Sequence, residues 1–338
     1  MPNIVLCYPI QERQLEWIRR ALPAEWQIIN AGQDGIAEAI LEADVFCGHA
    51  KVPVPWKTVV KNGRLKWIQS SAAGLDHCLT PEVVHSSIKV SSCSGLFANQ
   101  VAEQTLALLY GWHRQLPTFF QQKLDRRFVR QPTRDLHGKS IGIIGLGGNG
   151  RRIAQLLAPL NSPLIATDFY HDNRPDYISE LHPATELHSV LSRVDIAILG
   201  VPLNPSTHHL MDQSAFDSMK AGSLLVNVAR GQIVDESALI TALDRGHLAG
   251  AAIDVTEVEP LPEDSPLWSK DNVLMTPHVG AQSNTRVDDS TKLFCVNLNR
   301  WLYQRPLWNE VDKSLGFPPP SCRISLDDVR SSWDRTSA

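Results

Sequence analysis

The chain has 338 residues, which at roughly 150 residues per domain predicts two domains. Apolar residues make up 43% and charged residues 20%, so the chain can bury a sizeable core. Lys and Arg number 32 against 36 Asp and Glu, a formal net charge of −4. This balance argues against nucleic acid or an anionic membrane as the main partner, because both need concentrated positive charge. Small anionic substrates remain possible, since one or two positively charged side chains suffice to bind them.

The six cysteines include no CxxC pair, so neither a zinc site nor a redox pair is indicated. In a chain of this length we expect them to be small buried hydrophobes of a reducing compartment. No apolar run approaches the ~18 residues of a membrane-spanning helix. The N-terminus carries no basic residue before Arg13, which predicts a strand rather than a targeting segment. We therefore expect a cytoplasmic protein that holds no metal and binds no membrane.

The first third of the chain alternates short apolar runs with helical patterns, which predicts βαβ units and a parallel sheet. A helix is predicted over residues 12–21. The predicted strands cover residues 4–8, 45–47, 65–69 and 88–90. From Asn99 a run of apolar residues predicts a long, largely buried helix that Pro117 interrupts. Residues 121–140 are polar and basic, and we expect them to form a connector.

A second series of strands follows the connector. The apolar run at 141–144 predicts a buried strand, and the glycine-rich turn behind it leads into a predicted helix over 151–160. The later predicted strands cover residues 164–168, 195–201, 223–228, 250–255 and 272–275. The tail after Gly316 is rich in Pro, Ser and charge, and we expect a surface extension or partial disorder there.

Gly145, Gly147 and Gly150 form a GxGxxG motif between a predicted strand and a predicted helix, the context that dinucleotide binding requires. The first glycine permits the turn, the second lets backbone amides approach a pyrophosphate, and the third lets helix and strand pack closely. The pyrophosphate would lie at the helix N-terminus, where unpaired N–H groups and the helix dipole favour an anion. Taken alone, the motif could also be an ordinary tight turn.

Asp168 ends the following strand, 18 residues after Gly150. A carboxylate at this point accepts hydrogen bonds from both hydroxyls of the NAD ribose. The 2′-phosphate of NADP would meet like charge there, and no Arg stands directly after Asp168; Arg174 is the nearest cation downstream. We therefore expect NAD as the cofactor rather than NADP.

Three further signatures follow in chain order. They are VNVARG at residues 226–231, AIDVTEVEP at 252–260 and TPHVG at 276–280. Together with HGK at 137–139 and VPLNPST at 201–207, they resemble the D-isomer-specific 2-hydroxyacid dehydrogenase family. The resemblance covers about residues 65–312 and is most specific over 138–281.

The resemblance implies an α/β fold of two similar domains. A Rossmann NAD-binding domain with a doubly wound parallel sheet, residues 99–293, is expected to be inserted in a flavodoxin-like α/β substrate domain. Residues 1–98 and 294–338 are expected to form that substrate domain, with the reaction in the cleft between the domains. The family also implies a homodimer.

The activity that the resemblance implies is NAD-dependent interconversion of D-2-hydroxy acids and 2-keto acids by hydride transfer. The catalytic Arg, Glu and His of the family fall on Arg230, Glu259 and His278. Its substrate contacts fall on Ala73, Gly74, Arg230 and His278. Its cofactor contacts, beside the three motif glycines and Asp168, fall on Gly148, Asn149, Val201, Pro202, Thr207, Val228, Ala229, Arg230, Asp254, His278 and Gly280.

The chemistry of these side chains agrees with the implied roles. Reduction of a 2-keto acid leaves negative charge on the carbonyl oxygen, and an imidazole such as His278 is suited to protonate it near neutral pH. Glu259 would favour the imidazolium and orient the ring. Arg230 offers a planar fork of donors for the substrate carboxylate. Singly, each could be structural or solvated; in this order behind the glycine motif, the catalytic interpretation is favoured.

Two other functions remain open. The first is an NAD(H)-sensing binding protein like the C-terminal-binding-protein corepressors, which resemble this fold and keep the same three residues. The second is phosphite oxidation on the same scaffold, which would need extra basic residues in the cleft. Lys51 is a candidate cation for it, although a solvated lysine is the simpler interpretation.

Overall fold

A computed structural model describes residues 1–337 and contains twelve strands and twelve α-helices among them. The strands are β1 Asn3–Cys7, β2 Gln27–Asn30, β3 Val45–Gly48, β4 Trp67–Ser70, β5 Lys89–Ser91, β6 Ile141–Ile144, β7 Leu164–Asp168, β8 Glu180–Pro183, β9 Ile196–Leu199, β10 Ser223–Asn227, β11 Leu248–Ile253 and β12 Val273–Met275. The helices are α1 Glu12–Arg20, α2 Gly32–Ala39, α3 Trp56–Asn62, α4 Pro81–Val84, α5 Ala98–His113, α6 Leu116–Leu124, α7 Gly148–Leu157, α8 Leu187–Leu191, α9 Gln213–Ser218, α10 Glu236–Asp244, α11 Arg286–Leu302 and α12 Leu326–Ser337.

The chain divides into two compact units. The first consists of Met1–Phe97 together with the chain from Ser283 onward, and the second is Ala98–Gln282. The second boundary lies at 282/283 rather than at 293/294, because α11 is one continuous helix whose Phe294 and Leu298 belong to the core of the first unit.

The first unit is a five-stranded parallel sheet in the order β2-β1-β3-β4-β5, the flavodoxin-like order. Successive residues of its strands face opposite sides, as the strand period of two requires. Val5 and Phe46 enter one core, whereas Ile4 and Val45 enter another, to which α11 contributes. Helices therefore cover both faces, which explains why the strands are apolar throughout.

The second unit is a seven-stranded parallel sheet in the order β12-β11-β10-β9-β6-β7-β8. From the neighbours β6 and β9, the strand order runs outward to both edges of the sheet. The sheet is therefore doubly wound, and the order of its parallel strands reverses between β6 and β9. One face packs on α8, α9 and α10, and the other on α5 and α7. The predicted α/β class with a Rossmann sheet is confirmed.

The structure adds two strands to the prediction and corrects two predicted segments. The edge strands β2 and β8 were not predicted, because neither carries an apolar run. The connector begins with a helix, α6, in which Pro117 stands in the first turn, where a missing N–H costs nothing. The tail ends in α12, where Val329 is fully buried and the Trp333 ring lies 5.2 Å from that of Trp17.

Within residues 1–337, every helix is too short or too polar to span a bilayer.

Candidate active site

The glycine turn between β6 and α7 has the geometry that its three glycines predict. Gly145 adopts φ +98°, and a Cβ there would lie 2.7 Å from the Val201 nitrogen. A Cβ on Gly150 would lie 2.0 Å from the Gly145 oxygen, so helix and turn are in backbone contact. A Cβ on Gly147 would meet no atom within 4 Å. The open space is therefore at the position that should face a pyrophosphate.

The residues behind the turn begin a helix. Gly147 is the N-cap of α7, and Gly148 and Asn149 are its first residues. Amides in the first turn of a helix have no acceptor within it and point along the axis. This arrangement of open backbone and free donors fits the diphosphate of a dinucleotide.

Asp168 lies at the carboxyl end of β7 beside this turn. One carboxylate oxygen accepts the N–H of Leu146 at 2.6 Å, and the other accepts the N–H of Tyr170 at 2.8 Å. Asp168 therefore orients the turn as well as ending the strand. An ionised carboxylate has about four acceptor sites, so two remain for ribose hydroxyls.

The loop after β9 contains Val201, Pro202 and Thr207. The Thr207 hydroxyl donates to the Pro202 oxygen at 2.6 Å and accepts the Asn204 N–H at 2.9 Å. Two of the predicted contacts, Pro202 and Thr207, are thus joined in one turn.

The loop after β10 contains Val228, Ala229 and Arg230. It is shaped by Asn227, whose side-chain oxygen accepts the Ala229 N–H at 3.0 Å and whose amide donates to the Arg230 oxygen at 2.9 Å. A guanidinium nitrogen of Arg230 donates to the Ala229 oxygen at 2.7 Å. Asn227 was not predicted as a site residue; its position at the end of a buried strand, three residues before Arg230, is the signal that could have found it.

Asp254, at the end of β11, organises the last loop of the sheet. It is 2% exposed and accepts hydrogen bonds from the Val279 N–H at 3.0 Å and the Gly280 N–H at 2.7 Å. The Thr276 hydroxyl donates to it at 2.6 Å and itself accepts from Gln104 at 2.8 Å. These bonds to the carboxylate make Asp254 a fixed anchor for the chain on both sides of His278.

His278 and Glu259 form a direct pair. The distance from His278 Nδ1 to Glu259 Oε2 is 2.7 Å, and because a carboxylate only accepts, Nδ1 carries the proton. His278 has φ +53°, a left-handed conformation uncommon for residues other than glycine. Its backbone N–H donates to the backbone oxygen of Asp254 at 2.7 Å. Nε2 makes no hydrogen bond among the described residues and is the nitrogen left for a substrate.

Glu259 is held ionised by its neighbours. Burial would raise its pKa, but the hydrogen bonds from His278 and from the Thr256 N–H, together with the positive charges of His278 and Arg230, lower the pKa below its ordinary value. Arg230, Glu259 and His278 thus stand on the loops after three neighbouring strands, β10, β11 and β12, at the carboxyl edge of one sheet, and the charge of Arg230 acts on Glu259. This edge is where ligands bind in open α/β sheets.

Ala73 and Gly74 belong to the first unit, in the loop after β4. The neighbouring Ala72 is fixed by its N–H, which donates to the Ser70 hydroxyl at 3.1 Å, and by its oxygen, which accepts the Cys93 N–H at 3.0 Å. Among the described residues, the N–H groups of Ala73 and Gly74 donate to no acceptor. The loop therefore offers two open donors at the carboxyl edge of its own sheet.

A cavity of about 520 Å³ lies at the opposite edge of the second sheet, where Ile196 and Ser223 begin their strands, and none of the predicted site residues line it. Within residues 1–337 no group of three His, Cys, Asp or Glu side chains is placed to hold a metal ion.

Comparison with known proteins gives relatives for this arrangement. Residues 106–280 match the family model described as D-isomer specific 2-hydroxyacid dehydrogenase, NAD binding domain. A glyoxylate reductase of Thermofilum pendens is 33% identical over 225 residues, 64% of this chain and 66% of that protein. A D-3-phosphoglycerate dehydrogenase of Methanocaldococcus jannaschii is 31% identical over 287 residues, 84% of this chain. The chain spans about half, 54%, of the length of that second relative.

A solved structure agrees with this family. The chain is similar to a D-isomer specific 2-hydroxyacid dehydrogenase from Xanthobacter autotrophicus Py2, solved with NADPH and MES. The TM-score is 0.78 at 27% identity, and the match covers 94% of this chain and 99% of that one.

Proposed function

The chain belongs to the D-isomer specific 2-hydroxyacid dehydrogenase family, and from this premise we propose that it interconverts D-2-hydroxy acids and 2-keto acids with NAD(H). It is an oxidoreductase that acts on the CH–OH group of hydroxy acids. The observation that carries the finer proposal is the 2.7 Å contact between His278 and Glu259, with the positive charge of Arg230 acting on the same carboxylate.

His278 is the acid and base of the proposed reaction. When bound, the nicotinamide supplies the hydride for reduction or accepts it in oxidation. During reduction the substrate oxygen gains negative charge and takes the proton from Nε2, and oxidation returns it to the same nitrogen. Glu259 accepts the hydrogen bond from Nδ1, so the ring keeps one orientation. The negative carboxylate also favours the charged form of the ring through a charge-assisted hydrogen bond.

Arg230 binds the substrate carboxylate. Its guanidinium presents parallel donors that match two carboxylate oxygens, and it can also polarise the carbonyl that is reduced. The free N–H groups of Ala73 and Gly74 are proposed to take another carboxylate oxygen, as the family resemblance implies. In this arrangement His278 transfers the proton, and Arg230 binds the negative charge of the substrate carboxylate.

NAD is the proposed cofactor. The open space at Gly147 and the first turn of α7 fit a diphosphate, and Asp168 retains acceptor sites for two ribose hydroxyls. Because the similar solved structure contains NADPH, the choice between NADH and NADPH is the point to test. Titration of the protein with NADH and with NADPH should give the lower Kd for NADH, since Asp168 repels a 2′-phosphate. A lower Kd for NADPH would overturn the preference.

The proposed activity is tested by NADH oxidation with glyoxylate, hydroxypyruvate, pyruvate and longer 2-keto acids. We expect turnover on at least one of them and none on the matching compounds without a 2-keto group. Tight NADH binding without turnover on any keto acid would contradict the proposal and would instead favour a dinucleotide-sensing protein.

We propose that two copies associate through α6 and the segment after it. Leu116, Phe120 and Leu124 are four residues apart, so they form one apolar row, and they are 44%, 62% and 74% exposed. Phe128 is 97% exposed. A second copy of the same row would cover it symmetrically, in agreement with the homodimer that the family resemblance implies.

We propose a cytoplasmic location on the basis of the thiols. All six cysteines are free, and five of them are buried. Burial raises the pKa of the Cys7 thiol to about 11 and that of Cys93 to about 12, so both stay protonated and unreactive. Free buried thiols suit a reducing compartment.

A further inference from the structure

The loop that carries Glu259 is held by contacts outside the proposed catalytic residues. Glu257 stands two residues before Glu259, and its Oε1 accepts the Nε2–H of His209 at 2.7 Å. The same carboxylate accepts the N–H of Glu236, at the start of α10, at 3.3 Å. His209 lies 48 residues before Glu257, in the loop after β9.

The backbone of Glu257 takes part in the same set of bonds. Its N–H donates to Glu236 Oε2 at 3.2 Å, and its oxygen accepts the side-chain amide of Gln232 at 2.8 Å. The backbone oxygen of Gln232 in turn accepts the backbone N–H of His209 at 2.9 Å. Three of these hydrogen bonds close a ring through Glu257, Gln232 and His209, and the other two join Glu257 to Glu236.

Gly231, the neighbour of Arg230, touches the Glu259 loop directly. A Cβ on Gly231 would lie 1.8 Å from the Thr256 oxygen and 2.5 Å from the Glu257 nitrogen. Its φ is not in the left-handed region, so the glycine is required by the close approach of two backbones. The segment that carries Arg230 and the segment that carries Glu259 are thus packed in contact.

We infer that Glu257 is a positioning residue that clamps segment 256–259 against segment 230–236 and so sets Arg230 relative to the His278–Glu259 pair. Thr256, inside the clamped segment, donates its N–H to Glu259 Oε1 at 3.2 Å. The clamp thereby holds one oxygen of Glu259, while His278 holds the other at 2.7 Å. Glu257 itself touches neither of the two proposed catalytic side chains on the other loops.

The physical reason for a clamp lies in the chemistry proposed above, on which this inference rests. Arg230 must hold the carboxylate while His278 reaches the adjacent carbonyl oxygen, and the two groups stand on loops that leave different strands. A misplacement of about 1 Å can cost about 10²-fold in rate. Charge-assisted hydrogen bonds, such as that between His209 and Glu257, are the stronger class available to prevent it.

The test compares Glu257→Ala and Glu257→Gln with Glu263→Ala, an exposed glutamate further along the same loop. We expect Glu257→Ala to lose about 10²-fold in kcat/KM for the keto acid that the wild type reduces, with a raised KM as well as a lowered kcat. Glu257→Gln retains an oxygen acceptor and should recover most of the loss. The Kd for NADH should stay within about twofold of wild type, because the glycine turn is untouched.

The alkaline limb of the rate profile separates positioning from a change in the proton donor. In Glu257→Ala the limb should stay at its wild-type pH, because Glu259 still bonds His278. Rates in Glu257→Ala equal to those of Glu263→Ala would overturn the inference. A loss matched by an equal rise in the Kd for NADH would also overturn it, because it would indicate general disorder of the unit.

Hydrogen exchange of backbone amides tests the clamp without any turnover. Glu257→Ala should speed exchange in both 228–236 and 254–260, whereas Glu263→Ala should change neither. Faster exchange in 254–260 alone, or in neither segment, would refute the clamp. If the wild type reduces no keto acid, the proposed function fails, and this measurement still decides the clamp.

Discussion

At the scale of single residues, the proposed site depends on where hydrogen bonds hold three charged groups. His278 has one ring nitrogen on Glu259, and its backbone is fixed by Asp254 in a left-handed conformation. Such a conformation costs about 1–3 kcal/mol and persists only where surrounding contacts hold it. Asp254, with several hydrogen bonds to its carboxylate, supplies those contacts.

Replacing Glu259 should change how the rate depends on pH. Keto-acid reduction needs the imidazolium, so the rate falls as pH rises. Since the pKa of Glu259 is lowered, the carboxylate stays charged down to pH values below its ordinary ~4.3. Glu259→Gln removes that negative charge and should move the alkaline limb to lower pH by about one unit.

The matched control for Glu259→Gln is Glu263→Gln, which should leave the limb where it is. The measurement is kcat/KM for the keto acid from about pH 5 to 10, a range that spans the usual titration of histidine. An unmoved limb in Glu259→Gln would show that the carboxylate does not favour the charged imidazole.

The motif residues were predictable because each stands in a recognisable run of sequence. Arg230, Glu259 and His278 follow predicted strands in the order that the family resemblance implies, and the structure brings them to one edge. Gln104, Glu257 and His209 were not predicted, since their hydrogen bonds join segments far apart in the chain. Asn227 was missed although its hydrogen bonds are local, because nothing in the family motif marks it. A single sequence does not show which loops pack together.

At the scale of elements, the turn between β6 and α7 assigns a different task to each glycine. Gly150 is required by close packing in the protein itself, because a Cβ would meet backbone at 2.0 Å. Gly147 has open space around it and an ordinary negative φ of −72°, so the free protein does not require glycine there.

Gly147→Ala and Gly150→Ala should therefore separate binding from folding. Gly150→Ala should lower the free energy of unfolding by about 1–3 kcal/mol, since backbone atoms must shift. Gly147→Ala should leave that free energy unchanged or raise it by about 0.4–1 kcal/mol. It should weaken NADH binding about tenfold or more, because the methyl group occupies the approach of the pyrophosphate.

The two measurements are chemical denaturation for stability and NADH titration for affinity, each on both variants. NADH affinity at the wild-type level in Gly147→Ala would contradict the assignment of this turn to the cofactor.

Most strands were predictable from their apolar runs, including the edge strands β5 and β12, whereas the edge strands β2 and β8 and the tail helix α12 were not. β6 and β7 were predicted with the bounds observed, because each is a short run of buried residues. β2 is a four-residue edge strand whose first and last residues are exposed, so no apolar run marks it. In α12, Leu326, Val329 and Trp333 stand on one face, but the preceding prolines and charges concealed that spacing.

At the scale of the whole molecule, the row of exposed apolar side chains on α6 is a surface that a single chain leaves uncovered. Large apolar side chains such as Phe120 and Leu124 are rarely exposed side by side on a monomer, and contiguous apolar surface marks an interaction site. The proposed second copy accounts for this surface without any other partner.

Phe120→Glu should convert a dimer into a monomer, since each interface would bury two uncompensated charges. Thr118→Glu is the control: it adds the same charge to the same exposed helix, about half a turn away from the row. Light scattering behind a sizing column measures the mass. Equal masses for the wild type and Phe120→Glu, whether both monomer or both dimer, would contradict an interface at this row.

The central claim is that His278 supplies the proton at a site where NADH reduces a 2-keto acid. It is tested most directly by single-turnover reduction in His278→Asn, because Asn tolerates the left-handed backbone that His278 adopts. The account predicts NADH affinity like that of the wild type and a rate of keto-acid reduction lower by ~10²–10⁴-fold. A rate equal to that of the wild type would contradict it.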